Sequence, residues 1–276
     1  MKPAPFTYHR ATSVEDAIAQ LSDPGAMARP LAGGQSLVPM LNLRLAPVGR
    51  LVDLGRIDAL KRAEDQGASI RYGALLTHAA FEDRRVPDGS NGLMPYIGGQ
   101  IAYRAVRTRG TIGGAIALAD PAADWLTTMV ALEGEIAIAG AKGRRTVAAA
   151  DFVIGPYMTA LDEGEIIEAI IVPRRPAGER WGHYKATRKT GEYADSMAIA
   201  LNDASSRKVR LVIGATEGAP LVMVKTAASC MQGASREQVA AVLHTELAAS
   251  GREFSPVKLH LHRTTALRAL QQAGLS

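Results

Sequence analysis

Residues 108–124 read TRGTIGGAIALADPAAD, and residues 32–36 read AGGQS. Each stretch carries two adjacent glycines in a short break between apolar segments. Paired glycines reach positive φ and leave backbone N–H groups uncovered, and successive uncovered N–H groups form a concave nest for an anion. Ser36 and Thr111 add hydroxyls, and Arg107 and Arg109 bring positive charge just ahead of the second pair. Two such loops suit two linked phosphates, where one loop would suit a monophosphate. A Gly-Gly pair is also an ordinary turn, so these residues alone leave a plain turn and a dinucleotide site both open.

Outward from the loops, the pattern is α+β. SVEDAIAQLS, 13–22, predicts a helix capped by Ser13, with Asp16 completing an approximate capping box and Val14, Ile18 and Leu21 on one face. Strands are expected at 29–32, 51–54 and 70–73, a short helix after Ser36, and a helix from Thr77 to Asp83. Residues 84–92 read as a loop. The five glycines between Gly98 and Ala119 break that stretch too often for one long helix. Asp120-Pro121 reads as cap and first position of the next helix. EIAIA, 135–139, and EIIEAIIV, 165–172, read as strands with a polar turn at Lys142 to Arg145 between them. After a polar, proline-containing break at 173–178 come three strands, at 182–188, 195–202 and 208–214. Two helices, about 235–250 and 256–273, close the chain; Val239, Leu243 and Leu247 share a face of the first.

Composition narrows the function. The chain has 276 residues with 47% hydrophobic and 21% charged, which is ordinary for globular domains. One cysteine, Cys230, permits no intrachain disulfide and leaves too few thiolates for an iron–sulfur cluster. No P-loop, Rossmann G-x-G-x-x-G, H-E-x-x-H or G-x-S-x-G motif occurs. The six histidines read as surface or capping residues rather than metal ligands, since the one close pair, His260 and His262, diverges on a helix. A net charge of +5 is scattered and aromatics are 5%, so nucleic acid is not expected as a partner. No apolar run reaches the roughly 18 residues of a membrane span, and MKPAPFTYHR lacks the core of a signal peptide. The expected location is cytoplasmic.

Taken together, residues 32–36 and 108–124 closely resemble the FAD-binding medium subunit of the molybdenum hydroxylases, the xanthine dehydrogenase and carbon monoxide dehydrogenase flavoprotein family. The likeness spans nearly the whole chain: Phe6, Tyr8, Ser13, Glu15 and Ala17 at the start, then Phe152-x-x-Gly155-x-x-x-Thr159-x-Leu161, Tyr184-Lys185, and Arg188-x-x-Gly191-x-Tyr193-Ala194. Ala115 and Leu118 stand where that family often has Asn or Ser and His.

The resemblance implies an FAD-binding module of the vanillyl-alcohol-oxidase (PCMH) type over 1–175, in two α/β subdomains of about 1–55 and 56–175. A C-terminal α/β domain over 176–276, with a three-stranded antiparallel sheet and helices, would follow. It implies that Ala32, Gly33, Gly34, Gln35 and Ser36, with Thr111, Ile112, Gly113, Gly114 and Ala115, surround the FAD pyrophosphate and ribitol. It further implies flavin contacts from Asp124, Leu161, Lys185 and Tyr193. The plainer readings are a helix first-turn carboxylate for Asp124, core for Leu161, a solvated strand lysine for Lys185 and a sheet-surface ring for Tyr193. Gln35 offers no covalent attachment, so FAD is expected to be noncovalent. The implied assembly has a large molybdopterin subunit and a small subunit with two [2Fe–2S] clusters, with pairing of two heterotrimers left open. Electrons would pass from the clusters through FAD to a final acceptor, and this chain would hold no catalytic acid, base or metal. The competing readings are a stand-alone flavin oxidase and a flavin-less assembly protein that kept the fold.

Overall fold

The computed structural model describes residues 2–275. The chain opens with β1 (Thr7–Arg10), α1 (Val14–Leu21), β2 (Ala28–Leu31), α2 (Leu37–Asn42) and β3 (Arg50–Asp53). The three strands form a parallel sheet in the order β1-β3-β2. Ser13 caps α1 as its position suggests, its Oγ accepting the Asp16 N–H at 3.0 Å. The box stays half closed, because the Asp16 carboxylate takes the Thr12 N–H and the His9 ring instead. Val14, Ala17 and Leu21 bury against Val52, Leu54 and Leu60.

Next come β4 (Ala63–Asp65), β5 (Ser69–Gly73), α3 (His78–Glu82), α4 (Leu93–Gln100), α5 (Arg104–Arg107), α6 (Ile112–Leu118) and α7 (Asp124–Ala131). They are followed by β6 (Glu135–Gly140), β7 (Gly143–Ala148), α8 (Ala149–Phe152), β8 (Val153–Gly155), β9 (Met158–Thr159) and β10 (Ile166–Pro173). A five-stranded antiparallel sheet runs β4-β5-β10-β6-β7. Its inner residues, among them Ile70, Tyr72, Ile136, Ile138 and Ile170, join Phe81, Ile97, Trp125 and Met129 from the helices in the largest core cluster. The stretch from 98 to 119 is three short helices, in line with its glycines.

Two local expectations are corrected. Asp120-Pro121 does not start a helix: the Asp120 carboxylate accepts the Ala122 N–H at 2.9 Å, closing a turn, and α7 begins at Asp124. Asp favours such turns as readily as caps. The polar stretch Lys142 to Arg145 is only in part a turn, since Arg144 and Arg145 lie in β7, paired with Ala139 and Ile138. As an exposed strand, β7 lacks the alternation that marks a half-buried one.

The last part holds β11 (Arg180–Ala186), β12 (Ser196–Asp203), β13 (Lys208–Gly214), β14 (Leu221–Val222), α9 (Val224–Met231), α10 (Arg236–Ala248) and α11 (Pro256–Gln272). The three expected strands are present and antiparallel, and the two-residue β14 adds a fourth. One face of this sheet, with Ala198, Ala200, Leu211 and Ile213, packs under Leu243, Ala266 and Leu270 of the helices. The other face sends Ile199, Leu201 and Val212 into the largest core cluster. Burial on both faces is why β12 reads as a nearly unbroken apolar run. α9 has no counterpart in the sequence reading; its buried face is made of the small residues Thr226, Ala227 and Ser229.

Ser235 and Gln238 close a full capping box on α10. Ser235→Ala should cost about 1 kcal/mol, read as a fall in Tm of about 2–4 °C in thermal unfolding.

The histidine expectation fails for three of the six. His78, His183 and His262 are buried, 4%, 3% and 0% exposed, and burial pulls each ring down to about 4. They behave as neutral core residues: His78 Nδ1 accepts from Trp125 Nε1 at 3.0 Å, and His262 Nδ1 pairs with Ser196 Oγ at 2.8 Å. Among the described residues, no group of three or more His, Cys, Asp or Glu is placed to hold a metal ion. No helix among them is long and apolar enough to cross a membrane.

Candidate cofactor site

The two glycine loops, remote in sequence, touch each other. A Cβ on Gly33 would run into the Arg109 carbonyl and sit 2.9 Å from the Gly110 Cα, so only glycine fits. Gly34 takes φ +73°, the left-handed region that glycine enters without strain. The first loop joins β2 to α2, and Gln35 Nε2 ties it by donating to the Gly33 carbonyl at 3.2 Å. The N–H groups of Gly33, Gly34, Gln35, Ser36 and Leu37 donate to no acceptor among the described residues. A run of free donors is what an anion nest requires.

The second loop plays a different part. The Ile112 N–H donates to the Leu76 carbonyl at 3.0 Å and that of Gly113 to the Ala74 carbonyl at 2.9 Å. Thr111 Oγ1 accepts the Gly114 N–H at 3.1 Å, and the Thr111 carbonyl accepts that of Ala115. Gly113 is required because a Cβ there would lie 2.8 Å from the Ala74 carbonyl oxygen. The two loops are thus not equivalent: the N–H groups of the first are free, whereas those of residues 112–115 in the second are spent within the protein. Arg107 is likewise committed: its guanidinium is 13% exposed and bonds both Glu82 oxygens at 2.8 Å and the carbonyls of Ile101 and Ala102. Arg109 stays exposed, and the exposed Arg29 on β2, unflagged by any motif, lines the site.

A cleft of about 670 Å³ opens over the loops, within the usual range of small-molecule sites. Of the fourteen residues singled out from the sequence, all but Ile112 and Lys185 line it. Ile112 is fully buried in the core. Lys185, 9% exposed on β11, stands behind Asp124, 5% exposed at the start of α7, with Nζ at 2.9 and 3.0 Å from the two carboxylate oxygens. The plain solvated-lysine reading therefore fails. Burial pushes the Asp124 carboxyl up and the Lys185 ammonium opposes it. Asp124 Oδ1, though close to Nζ, has no hydrogen bond of good geometry. It is thus a buried acceptor on the cleft wall with capacity left for a ligand.

Leu161 is half-buried on the wall. Tyr193 is 58% exposed at the cleft, and desolvation of its phenol, with Asp120, Tyr157 and Asp124 nearby, raises it to about 12. It is a hydroxyl donor at any physiological pH. Leu31, Met40, Leu45 and Leu118 supply apolar wall. Free N–H donors beside apolar walls fit a cofactor that joins a pyrophosphate to flat rings. Tyr157, like Arg29, is a lining residue that sequence reasoning missed; its only signal was its place inside the Phe152 to Leu161 motif.

Residues 4–175 match the family described as FAD binding domain in molybdopterin dehydrogenase. The chain is 37% identical over 221 residues to the nicotine 6-hydroxylase medium subunit of Paenarthrobacter nicotinovorans, covering 79% of this chain and 77% of that one. It is 35% identical over 224 residues to the carbon monoxide dehydrogenase medium chain of Hydrogenophaga pseudoflava, covering 81% and 78%. A solved structure of carbon monoxide dehydrogenase from Hydrogenophaga pseudoflava superposes with a TM-score of 0.92 at 31% identity over 99% of both chains. Quinoline 2-oxidoreductase from Pseudomonas putida 86 superposes at 0.88 and 30%, again over 99% of both.

The chain therefore belongs to the family of FAD-binding domains of the molybdopterin dehydrogenases. Within it, the chain is an FAD-binding medium subunit of the molybdenum hydroxylase type, an oxidoreductase component with the fold of the carbon monoxide dehydrogenase flavoprotein.

Proposed function

We propose that this chain is the electron-transfer subunit of a cytoplasmic heterotrimeric molybdenum hydroxylase and holds FAD noncovalently in the cleft. Its partners would be a large subunit with the molybdopterin cofactor and a small one with [2Fe–2S] clusters. Bound FAD would supply the exchange of electrons between those clusters and a final acceptor. Residues 1–175 would form the cofactor module, and 176–276 the unit that contributes Lys185 and Tyr193.

One observation carries the reading: the unbroken run of free N–H donors from Gly33 to Leu37, backed by the second glycine loop. Donors of this kind make charge-assisted bonds to phosphate oxygens. Ala32 precedes them, Ser36 adds its hydroxyl within the run, and Thr111, Gly113, Gly114 and Ala115 back them. On the wall, Asp124 offers an acceptor held by Lys185, Tyr193 offers a hydroxyl, and Leu161 excludes water. The side chains around the cleft include no cysteine; the one histidine, His78, is engaged with Trp125. This favours a cofactor that is held without a covalent bond.

The purified chain, incubated with FAD and desalted, should show flavin absorption, and acid precipitation should release all of the colour to the supernatant. A colourless chain, alone and in its complex, would refute flavin binding. Colour left in the pellet would refute the noncovalent mode.

A further inference from the structure

Tyr157 occupies the turn of the β8–β9 hairpin with φ +57°, a conformation that suits glycine or asparagine and strains a bulky side chain. The residue is 61% exposed and lines the cleft. Two bonds hold it there. Its N–H donates to the carbonyl of Ala119 at 3.0 Å, and its hydroxyl donates to Asp120 Oδ2 at 3.0 Å. Ala119 is itself left-handed, at φ +51°, so two strained residues are clasped back to back. Asp120 and Tyr157 both act on the Tyr193 phenol, which places the two rings on one stretch of the cleft wall. A hairpin turn needs no tyrosine at that position, and leaving the ring in water gains nothing for the fold. Strain together with an exposed, doubly fixed aromatic ring marks a surface prepared for a ligand.

We propose that Tyr157 is a cofactor-contacting residue, its ring latched by Asp120 so that it meets a planar ring of the bound cofactor beside Tyr193. This rests on the flavin reading above. Aromatic stacking of this kind supports about a tenfold gain in affinity.

The test is FAD titration of the full chain as wild type, Tyr157→Gly and Tyr157→Phe, with thermal unfolding of each apo form. Glycine relieves the backbone strain, so the apo Tm of Tyr157→Gly should hold or rise by about 2 °C, while its Kd for FAD rises about tenfold. Tyr157→Phe keeps the ring but loses the bond to Asp120, so its Kd should lie between those of wild type and Tyr157→Gly. Opposite movement of stability and affinity is a signature that a purely structural residue does not produce. Tyr157→Gly with wild-type affinity would overturn the proposal, as would a Kd loss accompanied by a fall in apo Tm. Wild-type affinity with failed assembly would overturn it too, and would place the ring at a subunit contact instead. A wild-type chain that binds no FAD, alone and in its complex, would remove this inference and the flavin reading together, an outcome distinct from all of these.

Discussion

Gly33→Ala should yield a chain that purifies without FAD. The added methyl has nowhere to go: it meets the Arg109 carbonyl and lies 2.9 Å from the Gly110 Cα. Both obstacles are backbone, and the segment that carries them is fixed by the hydrogen bonds from His78 to Gly110 and from Ile112 to Leu76. The first loop must therefore move, and its free N–H groups move with it. Overpacking of this sort costs about 1–3 kcal/mol in stability. The loss in FAD affinity should be larger, at least about a hundredfold, because several donors aimed at the same phosphates are displaced together. Gly34→Ala is the milder companion: it meets no backbone, only Val38 Cγ2 at 3.2 Å, and bears the strain of φ +73°. Gly178→Ala, which adds a methyl in open space, is the control. Flavin content after desalting and the FAD dissociation constant rank the three. A Gly33→Ala chain with full flavin would show that the loops need not touch.

That contact explains both how much of the site is legible in the sequence and where legibility stops. The glycine pairs announce themselves locally, because only glycine tolerates these backbone positions. Which loop keeps its N–H groups free is decided by the carbonyls of Ala74 and Leu76, more than thirty residues upstream, and no local pattern records it. The same division holds across the fold. Val239, Leu243 and Leu247 declare the buried face of α10 by spacing alone, and all three are fully buried. α9 buries small, weakly polar residues, so it carries no apolar stripe to read. Arg107 reads as a phosphate ligand until Glu82, 25 positions away, is found holding it. Tyr157 falls at an unspecified position of the Phe152 to Leu161 motif; its meaning comes from Asp120 across the cleft wall. Elements follow from periodicity, whereas pairings between distant polar groups follow from the tertiary fold.

The pairing with the greatest energetic consequence is Lys185 with Asp124, 61 positions apart and both nearly buried. Lys185→Met should be among the most destabilising single changes outside the main core. It keeps the aliphatic stem but leaves a buried carboxylate without its cation, a loss of about 3–5 kcal/mol, or a fall in Tm on the order of 10 °C. Asp124→Asn in the same chain removes the orphaned charge, so the double variant should recover more than half of that fall. The pH dependence has a definite sign. Desolvation already raises the Asp124 carboxyl in the folded chain, against the opposing Lys185 ammonium; without that ammonium it rises further. A carboxyl raised on folding binds its proton more tightly in the folded state. Its stabilising contribution is therefore present below the unfolded value and is lost as pH rises through the folded value. The Tm deficit of Lys185→Met should accordingly be small near pH 5 and grow toward pH 8, while the double variant stays flat. FAD affinity should follow the same course, since a protonated Asp124 keeps its place on the cleft wall and an uncompensated carboxylate is driven toward water. Equal Tm for Lys185→Met and wild type across that range would mean that the pair is incidental. A deficit without pH dependence would mean that the packing of the lysine stem, rather than its charge, holds Asp124 in the cleft wall.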